Sequence, residues 1–174
     1  MSFNVVIPAR LKSSRLKEKV LIEIHGIPMV IHVAQRASLS GAKNIVIATD
    51  DKKIVQVASH YNFKSVMTNK NHLSGTDRCL EASDINMWAD QDIIVNVQAD
   101  EPLIDPALID LVAKNVTESE SGYVTACSEF KSYKEFINPN NVKVVLDNHS
   151  HALYFSRSSI PYSSSKDLSH NNYA

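Results

Sequence analysis

Short apolar, β-rich runs separated by stretches with helical spacing constrain this chain more than any other feature of its sequence. Phe3 to Pro8, Asn44 to Ala48, Lys64 to Met67, Ile93 to Gln98, Tyr123 to Cys127 and Val142 to Leu146 read as strands. Several are nearly all apolar, the composition of parallel strands buried on both faces. Between them, Pro28 to Ser40 stops at Gly41, and Asp51 to Tyr61 sets Ile54, Val55, Val57, Ala58 and Tyr61 at helical spacing. Asp105-Pro106 supplies an N-cap and a first-turn proline for a helix through Ala107, Leu108, Leu111 and Val112, and Ser74 with Asp77 makes a capping box for another. Repeated strand and helix imply right-handed crossovers and a mostly parallel sheet covered on both faces, a Rossmann-like three-layer α/β/α fold. Ligands bind beyond the carboxyl ends of such strands, so the loops after Pro8, Ala48, Met67 and Gln98 should converge on one site.

The 174 residues, 44% of them hydrophobic, suffice for one core, so a single domain over 1–174 is expected, with a polar tail from about Ser163. Lys+Arg 18 against Asp+Glu 19 leaves a net charge of -1, which excludes a general electrostatic pull toward nucleic acid or an anionic membrane. Cys79 and Cys127 stand far apart with no Cys or His at ligand spacing, which fits two small buried residues in a reduced cytosolic protein. No apolar stretch reaches the length of a membrane span or a signal segment, so the cytoplasm is the expected compartment.

The sharpest local signal follows the first strand: Ala9-Arg10-Leu11-Lys12-Ser13-Ser14-Arg15-Leu16-Lys17-Glu18-Lys19 gathers five basic side chains in an otherwise balanced chain. Guanidinium forks, ammonium groups and backbone N–H donors can wrap a triphosphate. The same residues also suit a solvated surface loop, and the segment alone leaves both open. Neither GxGxxG nor GxxxxGK(S/T) is present, which argues against a dinucleotide oxidoreductase and a P-loop NTPase.

A second signal is Val95-Asn96-Val97-Gln98-Ala99-Asp100-Glu101-Pro102, an apolar strand running into two carboxylates. Mg2+ takes one or two protein carboxylates and completes its shell with water and phosphate oxygens, so Asp100 is a candidate ligand; an Asp that caps a turn gives the same pattern. A third, His72-Leu73-Ser74-Gly75-Thr76-Asp77-Arg78, offers donors to a base or ribose while also forming an ordinary helix N-terminus, with Arg78 expected to face the site. His149 and His151 lack a nearby third ligand, and Trp88, Tyr154 and Phe155 read as packing residues.

These residues resemble the Kdo cytidylyltransferases, or CMP-Kdo synthetases, over nearly the whole chain. The resemblance is carried by Ile7-Pro8-Ala9-Arg10 with Ser13, Arg15, Leu16 and Lys19; by Ala48-Thr49-Asp50-Asp51, Met67-Thr68 and the His72 to Arg78 loop; and by Val95 to Gln98 with Asp100-Glu101-Pro102. Asn138-Pro139-Asn140, Val142 to Val145, Ala152 to Arg157 and Ile160-Pro161 extend it. It implies a nucleotide-diphospho-sugar transferase fold and a transfer of CMP from CTP to Kdo for lipopolysaccharide synthesis, with Mg2+ as cofactor. It further implies Arg10, Lys19 and Asp100 as catalytic residues, Asp100 also as the metal ligand. Ala9, Ser13, Arg15, Ser74, Gly75, Arg78 and Gln98 would bind nucleotide or substrate, with Arg157 on the sugar side. A sialic-type sugar or an amino analogue of Kdo is an alternative acceptor, and CTP binding without turnover is another outcome.

The departures are specific. Lys17-Glu18 stands where the family usually has Pro-Gly, Ala99 where it has glycine, and Ile27 where a lysine is usual. The resemblance also implies a C-terminally truncated member: the family continues beyond Tyr173 with segments that complete the sugar pocket, add a second metal carboxylate and form homodimer contacts.

Overall fold

The computed structural model describes residues 2–11, 16 and 18–161. The chain divides into two compact units, Met1–Val124 and Thr125–Ala174. In the first, strands β1 (Phe3–Ala9), β4 (Asn44–Thr49), β5 (Lys64–Met67) and β6 (Ile93–Asn96) form one sheet in the order β5-β4-β1-β6. All three pairings are parallel, with Val6 opposite Val46 on one side and Asn96 on the other.

Strand alternation sorts the side chains into two cores. Phe3, Val5, Ile7 and Ala9 of β1 pack on one face with helices α1 (Met29–Ala37), α2 (Lys52–His60) and α4 (Pro106–Glu118), through Val30, Ile31, Val33, Ile54, Ala58, Ile109 and Ala113. Val6 and Ala48 pack on the other face with Cys79 and Ala82 of α3 (Gly75–Ile85), and Trp88 closes that cluster. This is the three-layer arrangement expected. Each fully buried Val or Ile contributes about 1.5 to 3 kcal/mol, so β1, walled on both faces, is the spine of the unit. Burial pushes the Cys79 thiol up to about 12 against the opposing pull of the Arg78 charge.

The expected helix starts hold in atomic detail. Asp51 accepts from Lys53 N, Asp105 accepts from Ala107 N ahead of Pro106, and Ser74 with Asp77 forms the reciprocal capping box. Two small elements had no sequence signal strong enough to read: a 3-10 turn, Lys19–Leu21, and a hairpin of β2 (Glu23–Ile24) and β3 (Ile27–Pro28). His25 and Gly26 both take positive φ at its two-residue turn, the backbone a primed turn requires.

In the second unit, α5 (Tyr133–Ile137) precedes an antiparallel pair, β7 (Lys143–Leu146) with β8 (Ala152–Ser156). Three expectations are corrected here. Tyr123 to Cys127 forms no strand, because no neighbouring backbone among the described residues pairs with it. Tyr154 and Phe155 stay 62% and 52% exposed on β8 instead of packing. Cys127 is exposed rather than buried.

Candidate active site

The carboxyl edge of the four-stranded sheet brings the first and second sequence signals together. Val97 N donates to Val6 O at 3.0 Å, one residue beyond the Val6–Asn96 pair. Arg10 and Asp100 therefore each follow that pair by four residues and leave the sheet at the same edge. Val97 and Ala99 are buried while Gln98 and Asp100 are exposed, so the strand's alternation continues past its last paired residue and presents Asp100 outward. Ala99 is accommodated as a core side chain at the position where glycine is usual.

Lys19 begins the 3-10 turn, which is pinned by the buried Val20. Its Nζ lies 2.6 Å from Asp100 Oδ2, joining segments 81 residues apart. Lys19, at the end of the cationic segment, thus meets the acidic strand end. The Asp100 carboxylate pairs with a cation from outside its own turn. Glu101 adds a second carboxyl whose pKa is raised by burial and then by the Asp100 charge.

Glu18, the acid that stands where the family has glycine, has φ 53 and ψ 31, a left-handed backbone. Its carboxylate pairs with Lys53 Nζ at 3.1 Å, on the first turn of α2. The added acid is thereby matched with a cation of its own.

The third signal lies over β1. A Cβ placed on Gly75 would stand 3.4 Å from Pro8 Cγ and 3.9 Å from Asn96 Nδ2, so the start of α3 rests on the end of the central strand. Gln98 Nε2 donates to Asn96 Oδ1 at 3.0 Å, which ties Gln98 to the same cluster. Asn96 belongs to the site although its sequence context marked it only as a strand residue. Ser74 is engaged at both backbone N–H and hydroxyl by Asp77, so capping occupies part of its hydrogen-bonding capacity. Ala9 is fully buried in the core.

Arg78 corrects the sequence reading most sharply. It does not face the site as an open cation: its side chain is fully buried, with Nη1 donating to Thr68 Oγ1 at 2.5 Å and Nη2 to Asp50 Oδ2 at 3.3 Å. Thr68 in turn donates to Thr49 O, so one guanidinium ties the ends of β4 and β5 to the first turn of α3. Its Nε is buried without a partner. The spacing of Asp50, Thr68 and Arg78 gives no hint of this in sequence; the parallel β4–β5 pair creates it. Beside it, Glu81 on α3 accepts from Asn69 N and contacts His72 Nε2 at 2.5 Å, holding the loop before α3.

Ser13 and Arg15 lie outside the described residues. Arg157 belongs to the second unit, where its Nη1 donates to Pro139 O and Asn140 O. Buried Lys143 orders the same region by donating to the carbonyls of Asn138, Asn141 and Arg157.

The donor set at Asp100 suits Mg2+, whose shell needs as little as one protein carboxylate when phosphates and water supply the rest. Among the described residues no group of three or more His, Cys, Asp or Glu side chains forms a closed metal cage. An Asp100 carboxylate already satisfied by a cation, beside the polar Gln98 and the cationic turn, fits a metal that arrives with a phosphorylated ligand. No helix among the described residues is long and apolar enough to cross a membrane.

Comparison with known proteins agrees with this geometry. A family model described as cytidylyltransferase matches residues 4–173. The 3-deoxy-manno-octulosonate cytidylyltransferase of Acidovorax sp. (strain JS42) is 50% identical over 161 residues, covering 92% of this chain and 62% of that protein. The protein of the same name from Neisseria meningitidis serogroup C (strain 053442) is 49% identical over 160 residues, covering 92% and 63%. A solved CMP:2-keto-3-deoxy-manno-octonic acid synthetase complexed with CTP superposes with a TM-score of 0.77 at 36% identity, covering 92% of this chain and 66% of that one. The chain thus spans just under two thirds of the length of these relatives. With the matched residues running from the first strand to the end of the second unit, the chain belongs to the cytidylyltransferase family.

Proposed function

We propose that this chain carries the CTP site of an enzyme that transfers CMP from CTP to the acidic sugar Kdo, releasing pyrophosphate, in the cytoplasmic supply of lipopolysaccharide precursors. The 2.6 Å contact between Lys19 and Asp100 supports the reading, because it brings a cation of the loop after the first strand to a carboxylate at the same sheet edge. The names of relatives near 50% identity support Kdo as the acceptor.

In this reading the anomeric hydroxyl of the sugar forms a bond to the α-phosphorus as the bond to the pyrophosphate oxygen breaks. Such a transfer asks the protein for alignment and for positive charge over the developing oxyanions. Arg10 and Lys19 supply that charge from the loop after β1. Gln98 and Asn96 orient the substrate above the strand end, and the backbone around Ala9, Ser74 and Gly75 meets the nucleoside. Asp100 would hold Mg2+, which when bound neutralises phosphate charge and fixes the triphosphate conformation. Arg78 acts through the segments it ties together and not by direct contact. Homodimerisation belongs to the same proposal.

Pyrophosphate release with CTP, Mg2+ and Kdo tests it, on this chain and on a version extended to the relatives' length. Release that requires CTP and Kdo together is expected at least in the longer form. No release from either form, with no CTP-dependent rise in melting temperature, would reject the reading.

A further inference from the structure

We propose that Lys19 serves as a stand-in cation: its ammonium and a divalent metal are alternative partners of the Asp100 carboxylate, and an incoming triphosphate makes the exchange. This rests on the CTP reading of the site and describes how that site is regulated.

Three observations lead there. Lys19 Nζ lies 2.6 Å from Asp100 Oδ2, the distance of a formed ion pair. Both side chains remain partly open to solvent, at 37% and 45%, so the pair is cheap to break and its ammonium can swing on a flexible stem while buried Val20 holds the backbone. Lys53 is committed to Glu18, so it does not compete for the same carboxylate.

Electrostatics makes the exchange directional. A metal on Asp100 with Lys19 still in place would set two cations within a few ångströms, which is repulsive even where solvent screens. A triphosphate brings several negative charges, which give Lys19 a better partner and let the metal and the ammonium share the site. Metal alone therefore binds weakly, and metal with nucleotide binds well. The Asp100 carboxylate is never left without a counter-charge, despite the neighbouring Glu101.

Mn2+ without nucleotide is the probe, since it prefers the same oxygen ligands and its free form is counted by electron paramagnetic resonance. Lys19→Met and Lys19→Gln are each expected to bind Mn2+ about 2- to 5-fold more tightly than the wild-type chain, the range for freeing one partner of a half-exposed ion pair. Using both keeps a packing fault in one from deciding the result. Lys53→Met controls for loss of a nearby positive charge and should shift affinity less than about twofold. Adding Asp100→Asn to Lys19→Met should erase the gain.

Unchanged Mn2+ affinity in both Lys19 variants overturns the exchange, as does an equal gain in Lys53→Met. Thermal shift with CTP on the same wild-type sample separates the two readings. A chain that fails to bind CTP sinks the nucleotide site while the Mn2+ comparison stands by itself. CTP binding with no Lys19 effect on Mn2+ sinks the exchange alone.

Discussion

Arg78 Nη2 reaches Asp50 Oδ2 at 3.3 Å inside the protein, so a full positive charge with no solvent exposure is neutralised by a carboxylate one residue beyond β4. The pair links the sheet edge to α3 and thereby fixes the height of Ser74 and Gly75 over Pro8. Arg78→Met leaves Asp50 and Thr68 without their donor. Loss of one member of a buried pair should lower stability by about 3 kcal/mol, read as a shift of the urea midpoint at constant slope. A change below about 0.5 kcal/mol, the range of ordinary surface substitutions, would remove Arg78 from that role.

At Lys19 and Arg10 the expected loss is in turnover. On the proposed reading each places positive charge where pyrophosphate would depart, and removal of one preorganised donor costs about 100- to 1000-fold in rate. Lys19→Ala and Arg10→Ala, made in a protein of the relatives' length and assayed by pyrophosphate release, should fall in that range. Neither should change the melting temperature appreciably, because the Lys19 pair is solvent-screened and Arg10 is exposed.

Glu18 offers a test of backbone strain. A non-glycine residue in the left-handed region costs about 1 kcal/mol or more, and Glu18 has φ 53. Its surface ion pair with Lys53 returns at most about that much. Glu18→Gly removes both strain and pair, whereas Glu18→Ala removes only the pair. Chemical denaturation should therefore find the glycine variant more stable than the alanine variant by about 1 kcal/mol.

Acid should loosen the loop before α3. Contact with His72, and then the Asn69 N–H, holds the Glu81 carboxyl below the ordinary glutamate range. A folded-state pKa below the unfolded one contributes stability above the unfolded value and loses it as pH falls through the folded value. Glu81→Gln should thus be less stable than wild type at neutral pH, by on the order of 1 kcal/mol. The gap should close as the solution is taken below about pH 4. Urea midpoints measured across that range check the sign, since a gap that widens in acid contradicts it.

Local pattern was enough to read much of the fold. The apolar runs at Phe3 and Asn44 become the two central parallel strands, where burial on both faces demands a near-continuous hydrophobic run, and those at Lys64 and Ile93 close the sheet as edge strands. The Ser74 and Asp105 caps are equally local, since a capping side chain bonds to a backbone N–H two or three residues ahead. The meeting of Lys19 with Asp100 was legible as a shared sheet edge, because strand direction alone sends both loops there.

The failures share a cause. Tyr123 to Cys127 has strand-like composition, yet a strand exists only where another backbone accepts its hydrogen bonds, and composition carries no record of partners. Arg78 reads as a polar loop-to-helix residue, and its burial follows from Asp50 and Thr68 being brought side by side by the parallel pairing of β4 with β5. Asn96 enters the site because α3 crosses above it. Spacing along the chain determined most of the strands and helices and which charges follow them in the loops. Only the packed sheet decided which charges are sealed inside and which are left to meet a ligand, because that choice depends on neighbours tens of residues away.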